Sequence, residues 1–240
     1  MPSEPRAAGA RAASAAAAEV VADWLACVAR VVHERRTWLT ELDAAIGDGD
    51  HGINLDRGLA AVRADLEAGA MPDDDAGHLL AAAGRRLLGV VGGASGALYG
   101  RALMTAGSRL SEDEGSKILD PRAVAEVVLA GAIDGIAALG RAVAGDKTML
   151  DALLPALATL RAAPADEPVV DVLARVAAAA EAGAQATIPL VARKGRASYL
   201  GGRSAGHLDP GAASSAIFVR CLADVVGASV DDDADEGAEG

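Results

Sequence analysis

The sequence predicts an all-α fold, and three observations about its composition and pattern support this prediction. Hydrophobic residues make up 52% of the 240 residues, but aromatic residues make up only 2%. Alanine, which has the highest helix propensity, is the most common apolar residue, whereas the β-branched and aromatic runs that favour strands are scarce. Apolar residues instead recur every three or four positions, as they do along one face of a helix.

The helix boundaries follow from these apolar stripes and from residues that begin helices. One such stripe consists of Leu55, Leu59, Val62 and Leu66. The predicted helices span residues 14–35, 38–46, 53–68, 76–89, 95–110, 121–139, 147–162, 168–191 and 210–228. An acidic N-cap followed by proline marks two helix starts, at Asp120 and Asp209, and Asp146 is predicted to cap the helix that begins near residue 147.

Other segments are predicted to interrupt or flank these helices. Pro155 and Pro189 lie inside two predicted helices, and each is expected to kink or end its helix. The glycine-rich, basic stretch 192–209 has no helical period, and we predict a packed, functional loop there. The resulting organisation is a flexible N-terminus over residues 1–12, a single helical domain over 13–228 and an acidic disordered tail over 229–240.

The charge of the chain excludes several classes of function. Six acidic residues among the last ten carry half of the formal net charge of −12, and the rest of the chain is also acidic. Such a surface does not attract nucleic acid or an anionic membrane, so neither is expected as a partner. No uncharged run reaches the roughly 18–20 residues of a membrane-spanning helix. Cys27 and Cys221 are expected to be reduced, buried thiols. We also expect the protein to be cytoplasmic.

Three aspartates, Asp43, Asp48 and Asp50, fall within eight residues and are interspersed with glycines. Asp48 and Asp50 are two positions apart, so they point the same way in an extended loop, and the glycines allow a turn that brings all three carboxylates together. Converging carboxylates repel one another unless a cation lies between them, and their oxygen atoms suit Mg²⁺ or Ca²⁺. The alternative interpretation is a solvated turn, in which aspartate and glycine are common.

Three further glycine-containing loops precede predicted helices. The stretch 89–96 would expose backbone N–H groups at a helix start and so form an anion site, although a close-packed turn between two helices explains it equally well. The loop at 145–149 and the basic cluster at 193–196 are weak signals individually. Together, the four loops predict a nucleotide held at one rim of a helical bundle, with metal-bridged phosphates as in phosphoryl transfer.

Four motifs resemble, in order, those of the nucleotide-binding L subunit of dihydroxyacetone kinase. They are LDAAIGDGDHGINLDRG (42–58), VGGASGALYG (91–100), GDKTMLDAL (145–153) and RKGRASYLGGRSAGHLDPGA (193–212). The resemblance extends from about residue 20 to residue 228. It implies an eight-helix antiparallel barrel with the nucleotide site at one end. It also implies that residues 38–46 form a single turn rather than a separate helix.

The resemblance also implies the composition of the site, with two Mg²⁺ ions and ADP or ATP as cofactors. Asp43, Asp48 and Asp50 would be the metal ligands. The nucleotide contacts would come from His51, Gly52, Ile53, Asn54, Ala94, Ser95, Gly140, Met149, Arg196, Asp209, Pro210 and Gly211. Two positions differ from the family's pattern, with Ala97 in place of proline and Gly202 in place of glutamate.

The function implied by the resemblance is one half of a kinase. The chain would supply the phosphoryl group to dihydroxyacetone held by a partner K subunit, and it would not be active alone. The sequence leaves open whether ATP exchanges freely or bound ADP is rephosphorylated by a phosphocarrier (M subunit) of the sugar phosphotransferase system, and whether the chain forms a homodimer. Two alternatives are an equivalent kinase subunit for another short ketose or polyol, and a non-catalytic nucleotide-sensing adaptor.

Overall fold

The computed structural model describes residues 4–112 and 120–236, with side chains over 14–112 and 120–229. Within these ranges it contains eight α-helices, one 3₁₀-helix and no strand, which confirms the predicted all-α class. The α-helices are α1 (Glu4–Ile46), α2 (His51–Glu67), α3 (Ala76–Val90), α4 (Gly93–Glu112), α5 (Pro121–Gly140), α6 (Leu150–Ala162), α7 (Val169–Gln185) and α8 (Pro210–Glu236). The 3₁₀-helix spans Arg196–Ser204, between α7 and α8.

The eight α-helices form a closed ring. Each helix contacts the next one along the chain, and α8 contacts α1. One large hydrophobic core includes buried residues from all eight helices. Three aromatic rings lie within it: Phe218 stacks on Tyr99 with a centroid separation of 4.6 Å and meets the edge of Trp24 at 6.0 Å. The predicted eight-helix antiparallel barrel is therefore confirmed.

The first helix is longer than predicted. Residues 38–46 continue α1, so the prediction of a separate helix and that of a single turn are both wrong. No glycine or proline lies between Ala10 and Ile46, and the apolar stripe continues through the buried Leu39. Nothing in this segment interrupts the hydrogen bonds of the helix.

The two ends of the described chain also have helical backbone. α1 begins at Glu4 and α8 extends to Glu236, so both helices enter the segments for which flexibility was predicted. Flexibility of residues 1–12 and 229–240 stays a prediction. Residues 1–3 and 237–240 lie outside the described part of the chain.

Two of the three predicted N-caps are confirmed. The Asp120 carboxylate accepts a hydrogen bond from the backbone N–H of Arg122 at 2.9 Å, and Asp209 accepts one from Ala212 at 2.7 Å. The prediction for Asp146 is wrong, because its carboxylate accepts from the N–H of Val143 instead. α6 begins three residues later than expected, at Leu150, and Asp151 binds the N–H of Thr148 in its first turn.

The prolines and the long loop behave only partly as predicted. α6 continues through Pro155, so this proline does not end its helix, and a kink there stays a prediction. α7 ends at Gln185 rather than at residue 191, and Pro189 lies in the turn that follows. The stretch 192–209, predicted to lack helix, contains the 3₁₀-helix. Ala192 and Ala197 from this stretch pack on Ile46 at the end of α1, which places the stretch beside the aspartate loop.

By length and composition alone, α5 and the first twenty residues of α8 would be long and apolar enough to cross a membrane. Core helices of globular proteins meet the same criterion. In α8, 61% of the most apolar 18-residue stretch is buried inside the fold.

Candidate metal and nucleotide site

A cavity of about 370 Å³ opens at one end of the barrel. Its walls are the loop after α1, the starts of α4 and α8, the end of α5, the loop before α6 and the stretch that holds the 3₁₀-helix. Twelve of the fifteen predicted site residues line it: Asp43, Asp48, Asp50, His51, Ala94, Ser95, Gly140, Met149, Arg196, Asp209, Pro210 and Gly211. The four motifs, far apart in sequence, therefore meet in one place.

The other three predicted residues, Gly52, Ile53 and Asn54, form the first turn of α2 beside the cavity but do not line it. Gly52 lies against α1 so closely that a Cβ atom there would be 2.1 Å from the carbonyl oxygen of Arg36. The side chain of Ile53 is exposed, and Asn54 accepts a hydrogen bond from Arg57 at 2.7 Å. The amide nitrogen of Asn54 keeps its donor capacity and lies 3.9 Å from the Cβ position of Gly93, which lines the cavity.

The three aspartates converge as predicted. One carboxylate oxygen of each of Asp43, Asp48 and Asp50 lies within 4.8 Å of the others. Asp43, in the last turn of α1, folds the loop back by accepting hydrogen bonds from the backbone N–H groups of Asp50 at 2.9 Å and His51 at 3.1 Å. Gly49 allows this turn because its φ of +72° lies in the left-handed region. Three carboxylates at this separation are a donor set that fits a hard divalent cation.

Positive side chains line the same cavity. Arg196 forms an ion pair with Asp48 at 3.0 Å and so links the 3₁₀-helix to the aspartate loop. Lys147 and Lys194 also line the cavity. A cavity with both clustered carboxylates and cations suits an anionic ligand that arrives with a metal ion.

Lys147 is a residue that the sequence analysis did not assign to the site. It is 1% exposed, and its Nζ donates hydrogen bonds to the carbonyl oxygens of Thr187, at 2.7 Å, and His207. Burial lowers the pKa of Lys147, while the nearby carboxylate of Asp209 opposes this effect. Burial also raises the pKa of Asp209, to about 7. The sequence signal was present, since Lys147 lies in the glycine-containing loop at 145–149 that was singled out as a weak signal.

A buried chain of hydroxyl groups leads from the core to this cavity. His51 Nε2 lies 2.8 Å from the Oγ atom of Ser214 on α8, and the Tyr99 hydroxyl lies 2.7 Å from the same Oγ atom. Burial lowers the pKa of His51 and raises that of Tyr99. Ser214 is separated from these partners by 163 and 115 residues, so no local pattern could have predicted the contacts.

Comparison with known proteins gives a consistent family assignment. Residues 45–224 match the model of the DAK2 domain. The "PEP-dependent dihydroxyacetone kinase 2, ADP-binding subunit DhaL" of Listeria innocua is 40% identical over 192 residues, which cover 80% of this chain and 87% of that protein. The L-erythrulose 1-kinase of Mycolicibacterium smegmatis is 37% identical over 195 residues, which cover 80% of this chain but 33% of that protein.

A solved structure shows the same fold. The dihydroxyacetone kinase from C. freundii, in complex with AMP-PNP and Mg²⁺, matches with a TM-score of 0.67 and 30% sequence identity. The match covers 86% of this chain and 34% of that chain, so the barrel corresponds to one part of a longer kinase. The chain belongs to the DAK2-domain family, which includes the ADP-binding subunits of dihydroxyacetone kinases.

Proposed function

We propose that this chain is the ADP-binding subunit of a dihydroxyacetone kinase. It holds a nucleotide with Mg²⁺ in the cavity and presents a phosphoryl group to dihydroxyacetone, which a partner subunit binds. The observation that carries the proposal is the meeting of three carboxylates, two helix N-termini and Arg196 in one cavity of a DAK2-family chain. The structural relative that contains AMP-PNP and Mg²⁺ supports the same ligands.

Asp43, Asp48 and Asp50 are the proposed metal ligands. Their oxygen atoms are close enough to share cations, and we assign two Mg²⁺ ions to them. Bound there, Mg²⁺ supplies positive charge that neutralises the phosphates during phosphoryl transfer. The chain's own contribution is to fix the three carboxylates, chiefly through the two backbone hydrogen bonds that Asp43 accepts.

The N-terminus of α2 is one proposed phosphate site. Its first turn has two N–H groups, those of Gly52 and Ile53, without an acceptor among the described residues. The neighbouring N–H groups are already used, since His51 donates to Asp43 and Asn54 donates to Asp50. Free N–H groups at the positive end of a helix dipole bind phosphate.

The other proposed nucleotide contacts surround this turn. Ala94 and Ser95 supply the start of α4, and Arg196 reaches the phosphates as a charged donor. Gly140 and Met149 belong to an apolar part of the wall that also contains Leu98, Ile136, Leu139 and Ala142, and this part suits the adenine base. Asp209, Pro210 and Gly211 complete the proposed set at the start of α8.

The proposed partner is a K subunit that docks over the open end of the barrel. Apolar side chains surround this end without burial, including Ile53, Leu139 and Tyr199, which is 88% exposed. The name of the Listeria relative, a PEP-dependent kinase subunit, favours ADP that stays bound and is rephosphorylated by a phosphocarrier M subunit. A cytoplasmic location and the possibility of a homodimer remain expectations from the sequence.

One alternative substrate has support from a specific observation. The L-erythrulose 1-kinase shares 37% identity with this chain, so the same barrel serves a four-carbon ketose in that protein. The partner subunit would hold the sugar, so the experiment needs this chain together with its partner. Comparing the turnover of dihydroxyacetone with that of erythrulose by this complex distinguishes the two possible substrates. A non-catalytic sensor is disfavoured, because sensing alone does not require three converged metal ligands.

Replacing one metal ligand tests the proposal directly. Asp50→Asn is the cleanest variant because the Asp50 side chain makes no capping hydrogen bond in α2. We expect ADP affinity, measured by calorimetry with Mg²⁺, to fall by at least about 100-fold, since even outer-shell partners of metals typically contribute 10–100-fold. The exposed Asp73, changed to Asn, is the charge-matched control. Wild-type affinity in Asp50→Asn would contradict the metal site.

A further inference from the structure

Ser214 occupies an unusual position for a buried hydroxyl. It is 0% exposed on α8, yet its Oγ atom contacts His51 of α2 at 2.8 Å and Tyr99 of α4 at 2.7 Å. The same atom lies 2.9 Å from the carbonyl oxygen of Pro210, one turn earlier in α8. Three helices of the barrel therefore meet at one hydroxyl group, and one of its partners lines the nucleotide cavity.

Counting protons in this cluster assigns the donors. The carbonyl oxygens of Pro210, at 2.9 Å, and Gly211, at 3.1 Å, can only accept, so Ser214 donates its single proton to this pair. The oxygen of Ser214 then accepts from both other partners, the Tyr99 hydroxyl and His51 Nε2–H. In this arrangement each contact has a proton donor, whereas donation from Ser214 to His51 would leave its contacts with both carbonyl oxygens without a proton.

The assignment fixes what the other ring nitrogen of His51 can do. A neutral imidazole has one proton, so a proton on Nε2 leaves Nδ1 as an acceptor. Nδ1 has no hydrogen-bond partner among the described residues, and every completely buried side-chain nitrogen or oxygen atom in them has one. Nδ1 is thus not completely buried, and it belongs to a residue that lines the cavity.

From this geometry we infer that Ser214 is a positioning residue, which with Tyr99 holds His51 as the Nε2–H tautomer with Nδ1 as an acceptor for a donor ligand in the cavity. The inference rests on the proposed function. Phosphate oxygens at neutral pH are themselves acceptors, so Nδ1 does not suit them. The matching donor is a water molecule of the Mg²⁺ ion, because Mg²⁺ usually keeps several waters when it binds to carboxylates.

The structural alternative is that Ser214 merely fills space in the core. The chain offers a matched control in Ser215, which is 1% exposed on the same helix. Its hydroxyl lies 3.3 Å from Tyr99 but has no contact with His51. Loss of Ser215 therefore removes a buried hydroxyl of the same kind without touching the imidazole.

The first measurement is the tautomer of His51 in the ligand-free protein. Long-range ¹⁵N–¹H correlation spectra of histidine-labelled wild type, assigned with a His51→Asn variant, should show the Nε2–H tautomer. Ser214→Ala should convert a substantial fraction of His51 to the Nδ1–H form, while Ser215→Ala should leave the tautomer unchanged. Observation of Nδ1–H in the wild type, or an unchanged tautomer in Ser214→Ala, would overturn the inference.

The second measurement links the tautomer to the ligand. We expect Ser214→Ala to lower ADP affinity in the presence of Mg²⁺ by about tenfold, the scale of one lost hydrogen bond, while Ser214→Thr and Ser215→Ala stay within about twofold of wild type. Equal losses in Ser214→Ala and Ser215→Ala would show a packing role and overturn the inference. Should the alanine variant fail to fold, Ser214→Cys keeps the volume and replaces the hydroxyl with a weak hydrogen-bonding group, and the same outcomes apply.

These two measurements separate failure of the inference from failure of the proposed function. The tautomer is read without any ligand, so it does not depend on what the cavity binds. If wild-type protein does not bind ADP with Mg²⁺, the proposed function fails and the inferred role of Nδ1 fails with it. If wild type binds and only the Ser214 variants behave unexpectedly, the inference alone fails.

Discussion

Two buried ionisable side chains, Lys147 and Asp209, line the cavity, and they differ in the number of hydrogen bonds that they make with the protein. Lys147 donates to two backbone carbonyl groups, whereas the carboxylate of Asp209 accepts from the N–H of Ala212 and is otherwise desolvated. As a result, the pKa of Asp209 rises from 3.8 to about 7 even though the charge of Lys147 favours its ionised form. A buried carboxyl group such as that of Asp209 lowers the stability of the fold when it is ionised. Such groups are typical of binding sites when they line a cavity.

This raised pKa predicts how stability changes with pH. The folded state holds the Asp209 proton up to about pH 7, while the unfolded chain releases it near pH 3.8. The unfolded state therefore binds fewer protons between these values, and the contribution of this group to the free energy of unfolding falls as pH rises, by at most about 1.4 kcal/mol per pH unit. Above about pH 7, Asp209 is ionised in both states, and its contribution to the free energy of unfolding falls no further.

Asp209→Asn should remove this pH-dependent penalty. In the ligand-free protein, we expect the variant to melt at a higher temperature than wild type at pH 8, with a smaller difference at pH 5. The same variant should bind ADP more weakly, because the proposed nucleotide contact is lost. Melting curves at both pH values check the first expectation, and a lower melting temperature than wild type at pH 8 would contradict it.

The residues of the site differ in how far the sequence alone could identify them. Asp43, Asp48 and Asp50 could be predicted because their spacing and glycines encode the turn locally. Lys147 was present in a motif but unassigned, since nothing in its neighbours shows that it would be buried. Ser214 could not be found at all, because its role depends on contacts between three helices that only the closed barrel creates.

Among the helices, α3 and α4 lie backbone to backbone at two pairs of glycines. A Cβ atom on Gly107 would be 2.4 Å from the carbonyl oxygen of Gly77, and one on Gly84 would be 2.6 Å from that of Gly100. These distances are shorter than any real Cβ contact, so a larger residue must push the helices apart. The connection between these two helices is short, and the first residues of α4 line the cavity.

Gly84→Ala should therefore lower the free energy of unfolding by about 1–3 kcal/mol, the usual range for overpacking. Gly89, on the exposed face of the same helix, is the control, because a Cβ atom there meets nothing within 4 Å. Gly89→Ala should raise the free energy of unfolding by up to about 1 kcal/mol, since alanine favours helix. Urea unfolding of both variants gives the comparison, and equal effects would refute the steric explanation.

Helix starts were predictable where an aspartate stands directly before a proline, whereas Asp146, which lacks that proline, does not cap its helix. Asp120 and Asp209 begin α5 and α8 as expected from their side chains and the prolines that follow. The predicted division of α1 between residues 35 and 38 was wrong, because no glycine or proline lies there to end the helix. In this segment the absence of a helix-breaking residue is the better guide.

As a whole, the barrel places its candidate site at one end and surrounds that end with exposed apolar side chains. Tyr199 projects from the 3₁₀-helix with 88% of its surface exposed, and Ile53 begins α2 with 55% exposed. The lining of the cavity combines carboxylates, cations and an apolar wall, all of which the proposed nucleotide and its metal would use. This leaves the sugar to be held by a partner on the open side.

The isolated chain should therefore bind ADP with Mg²⁺ but should not phosphorylate dihydroxyacetone at an appreciable rate. Orientation of the two reactants supplies much of the acceleration in such reactions, with effective molarities worth about 7–11 kcal/mol, and here it would have to come from a docked K subunit. Addition of a K subunit and either ATP or the phosphocarrier should restore turnover. Tyr199→Ala should keep ADP affinity while raising the concentration of K subunit needed for half-maximal rate. Full turnover by the isolated chain would show that the sugar site lies in this barrel after all.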